Sequence, residues 1–311
     1  MTVDPYTFGL ELGGTKCIAL RAEGPRIIES IAIPTTDPDT TLAAVDDVFD
    51  RWRHQRRPDA LGIASFGPVG VDRSRSDWGF VLNTPKPGWA GTDIAGRYRR
   101  LLGVEIGFDT DVNAAALAEA NWGGAIGTSC NAYVTLGTGV GVGIVAHGSP
   151  LHGWLHPEFG HLKARRLPDD DFKGNCPFHG DCIEGLISGP AIAARSGMPG
   201  DRLDDDHLVW AGVIHDLGEL LASLILAVSP QRIALGGGIA CARPWLAERA
   251  RQAVIASLGG YLEGLPGEID QMIQIATLQD QAGPLGAIAV GMAAQNDGYP
   301  QGCRSRKRFS S

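Results

Sequence analysis

"YTFGLELGGTKCIALRAE", residues 6–23, and "NAYVTLGTGVGVGIVAHG", residues 131–148, are the stretches on which the fold turns. Each sets a glycine-rich turn between two short apolar runs, the pattern of a strand, a tight turn and a second strand. The hinge is Gly13-Gly14 in the first and Gly137-Thr138-Gly139 in the second. Outward from the first, "DPDTTLAAVDDVFDRWRHQRR" has the spacing of an amphipathic helix and "DALGIASFGPVGVD" that of the next strand. Glycine and proline dominate from Gly67 to Gly91, which predicts loop and short strand. "DVNAAALAEANWGG" predicts a helix with Asp111 near its start, where the helix dipole favours a carboxylate. Further on, "VWAGVIHDLGELLASLILAVS" predicts a long, largely buried helix and "QRIALGGGIA" a strand ending in three glycines. The chain therefore reads as two α/β halves, each opened by a glycine hairpin. Glycine lets a backbone approach an anion closely, and successive exposed N–H groups form a concave phosphate nest. Either hairpin alone reads equally well as a plain turn; two together, with "ALGGGIA", read as a clamp.

Composition narrows the function. The 311 residues, 44% of them hydrophobic, suffice for two cores. A formal charge of -8 and a pI near 5.5 argue against nucleic acid, whose phosphates need a basic surface. The longest apolar run, Leu217 to Val228, is short for a bilayer, and the N-terminus lacks a signal-peptide pattern. These features point to the cytoplasm, where disulfides are rare and clustered Cys and His become candidate metal ligands. Cys17, Cys130 and Cys241 lie among apolar or small neighbours and read as small buried hydrophobes, while Cys303 sits in a basic tail that reads as solvated. The exception is "HPEFGHLKARRLPDDDFKGNCPFHGDCIEG", residues 156–185, which gathers three histidines, two cysteines and two glutamates. A metal site, a reactive thiol pair, a disulfide loop and a chance cluster all fit it at this stage.

Taken in order, "ELGGTK" at 11–16, "SFGPVGVD" at 65–72, "NTPKPGW" at 83–89, "DTDVNAAALAEANWG" at 109–123, "LGTGVGVG" at 136–143, "HPEFGH" at 156–161, the cysteine cluster and "LGGGIA" at 235–240 resemble the ROK family of bacterial sugar kinases and related repressors. The resemblance covers nearly the whole chain. It implies an α/β, two-domain actin/Hsp70/hexokinase-like (ribonuclease H-like) fold with an interdomain cleft and a zinc-bound loop. The expected domains are 1–112, with a possible return of the C-terminal helix, and 113–311, which includes the zinc loop. The cluster Cys176-Pro-Phe-His179-Gly-Asp-Cys182-Ile-Glu184 and "TPKPGW" are similar to the fructokinase branch rather than to the Cys-x-Cys-Gly-x-x-Gly-Cys-x-Glu run of glucokinase-like members. One departure is Glu11, where the family's first phosphate loop more often opens with Asp, and its longer side chain bears on how Mg²⁺ is arranged.

His161, Cys176, His179 and Cys182 supply two nitrogens and two sulfurs, the tetrahedral set that structural Zn²⁺ prefers. The loop from His161 to Cys176 holds little apolar material, so a metal closing it would order it. His152 and His156 lie outside this set and receive no role. The resemblance assigns sugar binding to Glu158, His161 and Glu184, with Asn113 as a weaker candidate that equally caps or packs its helix. Glutamates suit that task because an ionised carboxylate accepts two hydroxyl hydrogen bonds. Asp111 alone reads as a helix cap, but the family's catalytic Asp falls at this position. Gly13, Gly14, Thr15 and Lys16 would cradle phosphates in one loop and Gly137, Thr138 and Gly139 in the other, with Gly237 and Gly238 beside the adenosine. The implied cofactors are ATP, Mg²⁺ and structural Zn²⁺. The expected partners are a hexose and ATP, in a homodimer, with no nucleic acid and no membrane.

Two function classes compete: a hexose kinase acting at the 6-hydroxyl, with fructose ahead of glucose, mannose or N-acetylmannosamine, and a sugar-sensing regulator. The first hairpin begins within about ten residues of Met1, which is expected to leave no room for a helix-turn-helix. That expectation and the intact Asp111 favour the kinase.

Overall fold

The computed structural model describes residues 4–295; Cys303 and the basic tail lie outside the described residues. Among those residues the chain divides into two compact units, one of 4–117, 149–156 and 283–295 and one of 118–148 and 157–282. The division differs from the expected 112/113 boundary by running through a helix and by returning 149–156 to the first unit, and the C-terminal helix also lies in that unit.

The first unit opens with the expected hairpin, β1 (Tyr6–Leu12) and β2 (Lys16–Glu23), extended by β3 (Arg26–Pro34). Helix α1 (Pro38–Gln55) follows, with the Asp37 side chain accepting the Thr40 N–H at its start and Thr41, Leu42, Val45, Val48, Phe49 and Trp52 turned inward at helical spacing. Then come β4 (Ala60–Ser65), α2 (Ile94–Leu102), β5 (Glu105–Thr110) and α3 (Asp111–Trp122). The sheet order is β3-β2-β1-β4-β5, with β1, β4 and β5 parallel. Its core is aromatic: Phe8 stacks on Phe49 at 5.3 Å between ring centres, and Trp52 and Tyr98 meet the same pair edge-on.

The second unit repeats the pattern with β6 (Cys130–Leu136) and β7 (Val140–Ala146) as an antiparallel hairpin. Past the two-residue β8 (Ser149–Pro150), which belongs to the 149–156 segment of the first unit, the second unit continues with α4 (Ile183–Ile187), α5 (Gly189–Ser196), α6 (Val209–Val228), β9 (Arg232–Gly236), α7 (Gly237–Ala242), α8 (Trp245–Leu258), α9 (Leu265–Met272) and β10 (Ile273–Ile275). β9 lies parallel to β6 and β10 parallel to β9, so β7-β6-β9-β10 matches β2-β1-β4-β5 of the first unit. The core here is aliphatic, built on Val134, Leu136, Leu217, Leu221, Leu224, Ile233 and Leu235. Helix α6 is longer than the apolar run marked in the sequence: its 20 residues are long and apolar enough to cross a membrane by length and composition. It nevertheless buries Trp210, Val213, Leu217 and Leu220 against the second core and carries a fully buried Asp216.

The closing helix α10 (Ala282–Gln295) belongs to the first unit from Gly283 onward. Its approach explains three glycines. A Cβ on Gly62 would lie 1.8 Å from the Ala287 carbonyl, one on Gly107 2.2 Å from the Val290 carbonyl, and one on Gly291 2.7 Å from the Gly62 nitrogen. Backbone meets backbone there, and no side chain fits between. Of the cysteines read as buried hydrophobes, Cys17 is fully buried, with its thiol on the Ile33 carbonyl, whereas Cys130 and Cys241 are only partly buried.

Candidate functional site

In the first unit, parallel pairing sets Glu11, Ala64 and Asp109 in one register row across β1, β4 and β5. Strand spacing of about 4.8 Å separates neighbours, so the small, buried Ala64 stands between the two carboxylates in that row. Immediately beyond β5, Asp111 begins α3 and accepts the Val112 N–H at 2.8 Å. Burial pushes Asp111 up to about 6, and burial together with the Asp111 charge pushes Glu11 up to about 7 against the pull of Lys16. The helix start that should favour an ionised Asp111 contributes only about 0.3–1 kcal/mol, so desolvation wins.

Asn113, one turn into α3, is buried and bonded on both sides. Its backbone N–H donates to Thr110 Oγ1 at 3.1 Å, and its side-chain NH₂ donates to Asp109 Oδ1 at 2.8 Å. Asp109 has no exposure; it also accepts its neighbour's N–H at 2.8 Å and pairs with His152 Nε2 at 2.9 Å. Burial alone would lower the His152 pKa, but Asp109, with Asp72 behind it, raises it, so the pair is ionic over a wider pH range. His156 has a structural role: its Nε2 accepts the Val69 N–H at 3.1 Å.

The first glycine turn is closed by the Gly13 N–H on the Lys16 carbonyl at 3.1 Å and by Thr35 Oγ1 on the Gly13 carbonyl at 2.9 Å. A Cβ on Gly13 would lie 2.7 Å from that Lys16 oxygen, while Gly14, Thr15 and Lys16 are exposed at the tip. Lys86, in the "TPKPGW" loop, donates its ammonium to the Gly14 carbonyl and lies 6.0 Å from the Phe66 ring centre. A second cation thus stands beside Lys16 at this turn.

In the second unit, the Gly137–Gly139 turn is closed by a 3.0 Å backbone bond, and the Gly189 N–H at the start of α5 reaches the Gly137 carbonyl at 2.7 Å. Glu184, expected on the sugar, accepts the Val140 N–H at 3.1 Å through Oε2, and a Cβ on Gly139 would stand 2.8 Å from that oxygen. At least one carboxylate oxygen therefore holds the hairpin. Gly237, in left-handed backbone at φ +81, sits where a Cβ would meet the Leu136 carbonyl at 2.5 Å. The two glycine segments predicted on the nucleotide thus come together at one end of β6 and β9, with Thr138 and Gly238 exposed.

The candidate metal centre adjoins this hairpin. A short turn at Phe159–His161 packs Gly160 so closely on β7 that a Cβ would lie 1.8 Å from the Val140 carbonyl, and this contact places His161. The ligand atoms of His161, Cys176, His179 and Cys182 all lie within 4.8 Å of one another. His161 Nδ1 is 3.5 Å from Cys182 Sγ and 3.8 Å from Cys176 Sγ, and His179 Nδ1 is 3.8 Å from Cys176 Sγ. Tetrahedral zinc with bonds of about 2.3 Å to sulfur and 2.0–2.1 Å to nitrogen requires S···N near 3.5 Å, so the four fit that ion. Without a cation, burial pushes the Cys182 thiol up to about 11, so metal binding must release a proton. Glu158, just before His161, is exposed.

The loop between the ligands is better anchored than its composition suggests. Asp170 pairs with Arg166 at 2.8 Å and with Arg195, and Arg195 also reaches the buried Asp216 at 3.2 Å. Phe172 lies under the Arg195 guanidinium at 5.5 Å and packs on the second core. These ion pairs would act beside any metal in ordering the loop. Sequence reasoning also missed Asp109, His152 and Lys86; the alternation Asp109-x-Asp111-x-Asn113 at a strand-to-helix junction was the available signal for the first.

A protein-family model for the ROK family matches residues 7–293. A fructokinase of Zymomonas mobilis is 41% identical over 304 residues, covering 95% of this chain and 100% of that protein. One of Pediococcus pentosaceus is 38% identical over 92% of this chain and 97% of its own length. Among solved structures, a ROK hexokinase of Thermus thermophilus superposes with a TM-score of 0.73 at 28% identity, covering 94% of this chain and 100% of that one.

Proposed function

The chain belongs to the ROK family, and from that premise we propose that it is an ATP-dependent fructokinase that phosphorylates D-fructose at the 6-hydroxyl. The observation that carries this is the 41% identity to a fructokinase across 95% of the chain. The arrangement of Asp111 supports it.

In the proposed reaction, Asp111 accepts the proton of the sugar 6-hydroxyl as that oxygen bonds to the γ-phosphorus and the bond from phosphorus to the β–γ bridging oxygen breaks, releasing ADP. A carboxyl raised to about 6 is a better proton acceptor than an ordinary Asp and is still largely ionised at neutral pH. The Gly13–Lys16 and Gly137–Gly139 turns cradle the phosphates at their exposed tips, the Gly13 and Gly137 N–H groups being taken up in closing the turns, and Gly237 and Gly238 admit the adenosine closely. Asn113, Glu158, His161 and Glu184 orient the sugar. His161 can serve two partners, because its Nδ1 faces the sulfurs and Nε2 is the other ring nitrogen. Glu11 and Asp111 are hard oxygen donors whose mutual repulsion a divalent cation relieves, which suits Mg²⁺; bound with the nucleotide, it neutralises phosphate charge. The Cys/His set suits a structural Zn²⁺. In this reading the enzyme is a cytoplasmic homodimer with neither nucleic acid nor membrane as partner.

The test is product identification. Purified protein with ATP, Mg²⁺ and fructose should yield fructose 6-phosphate by phosphorus NMR and by an isomerase-coupled assay. A 1-phosphate product would overturn the regiochemistry, and binding of the sugar without any phosphorylation would overturn the kinase.

A further inference from the structure

Asp109 is a fully buried carboxylate two residues before the proposed catalytic base, and a charge in that position persists only when donors surround it. It has three of them: the Thr110 N–H at 2.8 Å, the Asn113 amide NH₂ at 2.8 Å and His152 Nε2 at 2.9 Å. The first is local backbone. The second ties β5 to α3, and the third joins both to the Ser149–His156 segment that returns to this unit. An ionised carboxylate only accepts hydrogen bonds, so the branch of the Asn113 amide facing Asp109 must be its NH₂, and the carbonyl oxygen is turned the other way. A side-chain amide without such a partner can flip by half a turn and exchange the two ends. His152 supplies the remaining donor: its Nε2 pairs with the other carboxylate oxygen at 2.9 Å and lies 3.5 Å from the same Asn113 nitrogen.

We propose that His152 is a positioning residue for sugar binding, its imidazolium holding Asp109 ionised so that Asp109 fixes the Asn113 amide with its carbonyl oxygen presented to a substrate hydroxyl. The inference rests on the reading of this protein as a sugar kinase and adds to it a residue to which the sequence assigned nothing. It also gives the buried Asp109 a task distinct from proton transfer, which stays with Asp111.

The test compares His152→Gln, which keeps a donor and loses the charge, with His152→Ala, Asp109→Asn and the double variant Asp109→Asn/His152→Gln. Fructose KM, ATP KM, kcat and melting temperature are measured for each. His152→Gln should raise the fructose KM by about tenfold or more, with the ATP KM within about twofold of wild type and a melting temperature within a few degrees. Asp109→Asn should raise it similarly, and adding His152→Gln to it should change it by less than about threefold, because the two act through one amide. An unchanged fructose KM in His152→Gln, or full additivity in the double variant, overturns the proposal. So does a uniform loss across fructose KM, ATP KM and melting temperature, the mark of a purely structural role. If His152→Ala fails to fold, His152→Gln decides. If wild type phosphorylates no hexose, the kinase reading fails separately, and calorimetric sugar affinity of wild type against His152→Gln still decides the role of His152.

Discussion

β2-β1-β4-β5 in the first unit and β7-β6-β9-β10 in the second are the same arrangement, a glycine hairpin beside parallel strands, yet the groups at their ends differ in kind. The first gathers Glu11, Asp109 and Asp111, with Lys16 and His152 as counter-charges, and burial pushes the Glu11 and Asp111 carboxyls upward. The second presents glycine backbone, ties Glu184 to its own hairpin and adjoins a Cys/His cluster whose spacing suits zinc. One strand pattern thus supports titrating groups in one copy and glycine backbone beside a Cys/His cluster in the other. The topology sets where the loops emerge; the few residues at the strand ends set what they do.

The sharpest way to break this contrast is to remove its base. Asp111→Asn should lower turnover by on the order of a hundredfold or more while sugar affinity stays nearly intact. Turnover within about threefold of wild type would take Asp111 out of the mechanism.

The second unit predicts an effect on stability rather than on chemistry. Elemental analysis should find about one zinc per chain, and Cys182→Ser should lose it together with at least about 5 °C of melting temperature. Gly160→Ala should lose zinc as well, although it keeps all four ligands, because its Cβ would collide with the Val140 carbonyl that seats His161. The Arg166–Asp170–Arg195–Asp216 ion pairs should keep the loop from unfolding completely, so limited proteolysis of the zinc-free protein should cut slowly. Metal-free native protein with full activity would dissolve the contrast from this side.

The smallest effect expected is in the pH dependence. In the proposed reaction Asp111 accepts a proton only when ionised, so kcat/KM should fall below about pH 6 and not near pH 4, where an ordinary carboxylate would titrate. For stability the sign is reversed. A carboxyl raised by folding holds its proton more tightly than in the unfolded chain, so its contribution is present below pH 4.5 and is lost as pH rises toward 7 for Glu11. Glu11→Gln should therefore raise the melting temperature at pH 8 relative to wild type and give no gain at pH 4. An equal shift at both pH values would refute the raised Glu11.

Much of this was legible in the sequence because it is local. The two hairpins, the amphipathic α1, the helix beginning at Asp111 and the spacing of His161, Cys176, His179 and Cys182 depend on neighbours within a few residues or one loop. What stayed hidden depends on distant pairing. The ion pair of Asp109 with His152 joins β5 to a segment beyond the second hairpin, and nothing in either stretch names the other. The return of 149–156 to the first unit is of the same kind, whereas the return of α10 was expected, although the backbone contacts at Gly62, Gly107 and Gly291 that seat it involve glycines that in sequence look like any other. Glu184 looked like a sugar ligand because its motif says so, and its bond to the Val140 N–H appears only once β7 is folded against α4.

The most direct measurement is the ratio of kcat/KM for fructose to that for glucose, with ATP and Mg²⁺ at saturation. In the proposed reading Asn113, Glu158, His161 and Glu184 orient the sugar; a furanose and a pyranose then present them different hydroxyl patterns, and one missed hydrogen bond to a buried polar group such as Asn113 costs about 1–3 kcal/mol. The expected preference for fructose is therefore about tenfold to a hundredfold. A preference for glucose or mannose would contradict the fructokinase assignment while leaving the kinase in place.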